Sequence, residues 1–128
     1  MKLLLDTHIL LWAATGELSP NAMFYVENLD NTLLFSPANL WEVVIKSGRG
    51  RADFSVDPAI LLEGLLNAGY QELPIHSKHT LFVSKLPLLH QDPFDRILLA
   101  QAMSEGISLL TSDKMLVQYP CPVIFVEK

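Results

Sequence analysis

Leu3-Leu4-Leu5-Asp6-Thr7-His8-Ile9-Leu10-Leu11-Trp12 is the stretch from which the fold can be read. Three leucines end on an acid, and a second apolar stretch begins two residues later. A short, unbroken apolar run predicts a strand buried on both faces, as in a parallel sheet. His8 to Ala14 are predicted helical, capped by Asp6 or Thr7. Strand and helix follow each other with almost no loop, and Asp6 stands between them at the rim of a core.

The alternation continues outward. Ser19-Pro20 opens a helix to about Leu29, and Thr32 to Phe35 read as a strand. Ser36-Pro37 starts a helix to about Ser47, ended near Gly48 and Gly50. Asp57-Pro58 starts another to about Asn67, stopped by Gly69. Tyr70 to Pro74 read as a short strand and His76 to Lys85 as a helix. Asp92-Pro93 starts a long helix to about Glu105, closed by Gly106. Ile107 to Leu110 form a strand, Thr111-Ser112-Asp113 cap a short helix, and Val123 to Val126 give the last strand. Continuous apolar strands alternating with helices predict an α/β fold, a mostly parallel central sheet covered on both faces.

The 128 residues suit a single domain spanning 1–128, and 50% are hydrophobic, enough for a core without metal staples or disulfides. The one cysteine, Cys121, cannot form an intramolecular bridge, which fits a reducing compartment. Asp6 interrupts the N-terminal apolar run too early for a signal peptide or membrane span, so a soluble, cytoplasmic protein with no membrane partner is expected. The net charge of −5 is awkward for a nucleic-acid enzyme unless bound cations offset some acids.

Parallel α/β sheets bind ligands beyond the carboxyl ends of their strands. Asp6 follows the first strand and Asp113 the strand Ile107–Leu110, so parallel strands put both on one edge. Asp95, in the first turn after Pro93, and Glu42, in the helix after Pro37, reach that edge if their helices start there. Each acid also has a plainer role. Asp92 reads as an N-cap, Asp95 as its partner at the third helical position, Asp113 as a cap, and Glu42 as a pair with Lys46. Four carboxylates at one edge repel one another and raise each other's pKa. Binding Mg²⁺ or Mn²⁺, which prefer hard oxygen ligands, relieves that repulsion and suits phosphodiester hydrolysis.

Glu42, Lys46 and Arg49 share a helix face by spacing, so Lys46 and Arg49 are candidates for substrate phosphates; a solvated pair and a basic helix end are the alternative. Arg51 reads as a loop charge. Thr7, Thr111 and Ser112 neighbour the acids and can orient them, with Asp92, from behind, or serve as caps. His8 and His90 read as polar neighbours rather than ligands. Trp12, Trp41 and Phe94 read as core.

Leu4-Leu5-Asp6-Thr7-His8, Asn39-Leu40-Trp41-Glu42, His90-Gln91-Asp92-Pro93-Phe94-Asp95-Arg96 with its helix, and Leu109-Leu110-Thr111-Ser112-Asp113 resemble, in order, the PIN-domain proteins of the VapC toxin type. The resemblance covers nearly the whole chain. It implies a three-layer α/β/α fold, an Mg²⁺- or Mn²⁺-dependent endoribonuclease acting on RNA, and a catalytic quartet of Asp6, Glu42, Asp95 and Asp113. It also implies a homodimer and a small antitoxin partner in a toxin–antitoxin pair. Asn39, where relatives often carry Ser, departs from the pattern outside the quartet.

Two other classes compete. A phospho-receiver domain needs an acidic pair after the first strand and a Lys after the last; Asp6 stands alone, and no Lys follows Val117 before Lys128. A PIN fold that only binds a partner would not need the complete quartet. Finally, the helix from Pro58 to Asn67 carries apolar residues at 59–62, 65 and 66, a wider band than one buried stripe requires. That band, with the helix near Phe82, is expected to contribute to a dimer surface or an antitoxin groove.

Overall fold

The computed structural model describes residues 1–127. Strands β1 (Lys2–Leu5), β2 (Thr32–Phe35), β3 (Gln71–Glu72), β4 (Ser108–Thr111) and β5 (Val123–Phe125) form one sheet in the order β3-β2-β1-β4-β5, every pair parallel. Helices α1 (Thr7–Thr15), α2 (Pro20–Val26), α3 (Pro37–Gly48), α4 (Pro58–Asn67), α5 (Ser77–Phe82) and α6 (Pro93–Glu105) make the connections. The order 3-2-1-4-5 differs from the 2-1-3-4-5 order of receiver-type sheets, which removes that alternative.

The pleat divides the leucine runs between two cores. Leu3, Leu5, Phe35 and Leu110 pack on one face with Ile9, Leu10, Phe54, Leu61 and Leu65. Leu4, Leu34 and Leu109 pack on the other with Leu98, Leu99 and Ala102. Successive side chains of a strand point to opposite faces, so a strand covered on both sides must be apolar throughout. This is the expected three-layer α/β/α arrangement.

Several boundaries differ from expectation. The helix opened by Pro20 stops at Val26, because the Asn28 side chain accepts from the Asp30 N–H and its carbonyl from Asn31, turning the chain. Only Gln71 and Glu72 pair as the third strand, before Pro74 removes a donor. The helix at 77 tightens into a 3-10 turn at Val83–Lys85, and the short helix after Asp113 is 3-10, Lys114–Gln118. A 3-10 turn at Ala52–Phe54, not anticipated, buries Phe54 completely. Trp41 is not core: it is 62% exposed and meets Phe94 edge-on at 5.3 Å. The neighbouring Glu42 and Val43 take the buried face of α3 instead.

Candidate metal centre

All the loops that end β1, β2 and β4 open on one edge because the strands are parallel. Asp6 is both the last residue before α1 and its N-cap, accepting from the Ile9 N–H at 3.0 Å. Its own N–H donates to the Leu110 carbonyl, tying it to β4. Glu42 lies in α3, Asp95 in the first turn of α6, and Asp113 in the turn after β4. The four acids come from four segments and line one cavity of about 420 Å³, together with Thr7, Lys46, His90, Asp92 and Ser112.

Each acid has a donor. Asp6 accepts from the Thr111 hydroxyl, which in turn accepts from the Asp113 N–H at 3.0 Å. Glu42 accepts from the Thr7 hydroxyl and from Lys46, each at 2.5 Å. Lys46 Nζ also lies 3.8 Å from Asp92 and over the Phe54 and Phe94 rings. The ammonium therefore stands within the acidic group. Asp92 caps α6 through the Phe94 N–H. The reciprocal bond expected from Asp95 is not made, because the Asp92 N–H goes to His90 Nδ1. His90 Nε2 is 3.1 Å from both Asp95 and Asp113.

Burial raises the carboxyl of Asp6 above its ordinary range, against hydrogen bonds from Thr111 and Ile9. Burial first, then the charges of Asp92, Asp6, Glu42 and Asp113, push that of Asp95 up to about 8. Clustered hard oxygen donors, two of them on buried residues, fit a divalent cation such as Mg²⁺ or Mn²⁺.

Ser112 lines the cavity, while Thr111 acts on it from below through Asp6. Arg49, expected on the face of Glu42 and Lys46, is the C-cap of α3 and stands outside the cavity lining. Three residues matter more than their sequence signals indicated. Asn39 is fully buried; its amide donates to Thr7 Oγ1 at 3.0 Å and its carbonyl accepts from Ser36, so it positions the hydroxyl that meets Glu42. His90 joins two of the acids. Arg96, buried, donates to the carbonyls of Val83, Pro87 and His90 and holds the loop that delivers His90. The latter two stand in the His90–Arg96 motif; Asn39 looked like a mere departure.

A three-layer parallel fold with acids gathered beyond the strand ends defines a class of α/β domain with an acidic site at one sheet edge. Within it, the PIN domain model matches residues 3–120, and the chain belongs to the PIN domain family. Solved structures similar to it include the VapBC2 complex from Rickettsia felis bound to a promoter DNA fragment (19% identity, TM-score 0.74, covering 100% of this chain and 99% of that one). DNA-bound VapBC from Salmonella typhimurium follows (14%, 0.71, 98% of each chain). A toxin–antitoxin complex from Klebsiella pneumoniae is also similar (20%, 0.65, 98% and 99%). No curated protein matches the sequence. No helix among the described residues is long and apolar enough to cross a membrane.

Proposed function

We propose that this protein is a VapC-type toxin, an Mg²⁺- or Mn²⁺-dependent endoribonuclease whose quartet is Asp6, Glu42, Asp95 and Asp113. The observation that carries the reading is the convergence of these four carboxylates on one cavity, with Asp95 pushed up to about 8 by burial and its acidic neighbours. A folded chain maintains such repulsion most readily where a cation relieves it. A bound divalent ion would supply an activated water and charge neutralisation at the phosphorus. Asp6 and Glu42 are set rigidly by Thr111 and Thr7. Asp95 and Asp113 face them from the other side, and Lys46 offers a cation to an RNA phosphate. Cleavage of single-stranded RNA by the purified protein should stop with EDTA and return with Mn²⁺. EDTA-resistant cleavage would refute the mechanism.

The partner proposed is a small antitoxin. An apolar groove of about 600 Å³ runs between the end of α1 and α4, lined by Ala14, Leu33, Ile60, Leu61, Leu65 and Tyr70. The expectation about the helix from Pro58 divides. Leu61 and Leu65 are buried in the chain's own core, whereas Ile60 is 68% and Leu66 52% exposed. The groove and its Ile60 rim suit an antitoxin helix, whose following chain could carry a basic side chain to the acidic cavity. A homodimer would draw on exposed side chains such as Leu66 and Leu81. Light scattering on the isolated protein and on its complex with the antitoxin tests both partners. A strict monomer at high concentration refutes the dimer.

A further inference from the structure

His90 stands where a metal ligand could stand: its Nε2 and the carboxylates of Asp95 and Asp113 offer atoms all within 4.8 Å of one another. The other side of the ring decides its role. The Asp92 backbone N–H points at His90 Nδ1 from 3.1 Å. A proton on Nδ1 would set two N–H groups against each other, so Nδ1 accepts. The neutral ring then carries its proton on Nε2, where a metal ligand needs a lone pair.

The ring's setting is built rather than incidental. The His90 N–H donates to the Tyr119 hydroxyl at 2.7 Å, and its carbonyl accepts from Arg96 at 3.3 Å. Tyr119 and Arg96 are themselves buried and bonded to each other. Backbone and ring are therefore fixed together. The chain uses the same arrangement once more: the His76 N–H donates to His79 Nδ1 at 2.9 Å, and His79 Nε2 lies 3.3 Å from Glu105.

We propose that His90 is a positioning residue, an Nε2–H donor that holds Asp95 and Asp113 at ligand spacing without binding the cation itself. This rests on the reading of the site as a metal centre. Asp6 and Glu42 have hydroxyl donors of their own, while Asp95 on α6 and Asp113 in the β4 turn share this one ring. Its N–H leaves lone pairs on each carboxylate free, both acids line the cavity, and the shared ring links two separate segments.

The test uses the full-length protein with ¹⁵N-labelled histidine. In the metal-free state the ring nitrogens of His90, assigned by their loss in His90→Gln, should show the Nε2–H tautomer. With Mn²⁺ added, pulsed EPR should show no directly bound histidine nitrogen. His90→Gln carries an amide donor to the Nε2 position and should keep the Mn²⁺ dissociation constant within about threefold. His90→Asn can still accept from Asp92 but falls short of the acids, and should weaken Mn²⁺ binding about tenfold to a hundredfold. An Nδ1–H tautomer, a directly coordinated imidazole, or equal effects of Gln and Asn would each overturn the positioning role alone. Wild-type protein that binds no Mn²⁺ would overturn the metal centre first, and this role with it.

Discussion

Lys46 Nζ lies 2.5 Å from Glu42 Oε2 and 3.8 Å from Asp92 Oδ2, with the lysine 15% exposed. The i, i+4 pair expected from the helix does form, but it points into the acidic cavity rather than into solvent. It is a cation built into the site.

Lys46→Met keeps most of the apolar stem and removes the charge. The metal-free protein should lose up to about 3 kcal/mol, because Glu42 is left buried without its partner. Mn²⁺ should bind more tightly as the competing cation is lost, while KM for RNA rises. Denaturant melts, metal titration and steady-state kinetics report the three effects separately.

Asp6→Asn should abolish cleavage by orders of magnitude while the fold survives. The amide oxygen can still accept from the Ile9 N–H, and the Thr111 hydroxyl can rotate to accept from the new NH₂. Only the negative ligand is lost. Circular dichroism should show an intact protein that no longer cuts RNA with Mn²⁺ present.

Asp95 gives a pH dependence whose sign is fixed. Its folded pKa of about 8 lies above the ordinary 3.8. Between those values the unfolded chain has released the proton and the folded chain keeps it. Metal-free stability should therefore be greatest on the acid side of this window, as far as this group is concerned, and fall as pH rises through about 8. Asp95→Asn should remove that slope and melt at or above wild type at pH 8, by about 4 °C per kcal/mol of relieved repulsion. It should also lose most of the Mn²⁺-induced stabilisation. A clear drop in the metal-free melting temperature would instead mean that the contact of Asp95 with His90 outweighs the repulsion.

Arg96→Met strips the Pro87 carbonyl of its donor and takes one of two donors from the carbonyls of Val83 and His90, which keep the Leu86 N–H and the Tyr119 hydroxyl. The loss should be about 1–3 kcal/mol, the cost of leaving one buried acceptor unpaired and weakening two others. Mn²⁺ binding should weaken as well, because the same loop presents His90. Thermal melts and Mn²⁺ titration check both.

The sequence by itself determined the sheet and the edge. Leu3–Leu5 and Leu109–Leu110 are apolar without alternation, which only a doubly covered strand explains, and the acids that follow them must then share one end. Proline at the first position of α2, α3, α4 and α6 marked their starts because it lacks the N–H that those positions leave unpaired. Local chemistry was legible because it acts between near neighbours in the chain. The pairings across the site were decided only by the tertiary structure. Thr7 with Glu42, Thr111 with Asp6, and His90 with Asp113 join residues 35, 105 and 23 positions apart. No periodicity encodes such a distance; it arises when parallel strands bring their ends together. Trp41 was misplaced for the same reason. Helical spacing defines a face, but only packing decided that Glu42 and Val43 would turn inward and Trp41 outward.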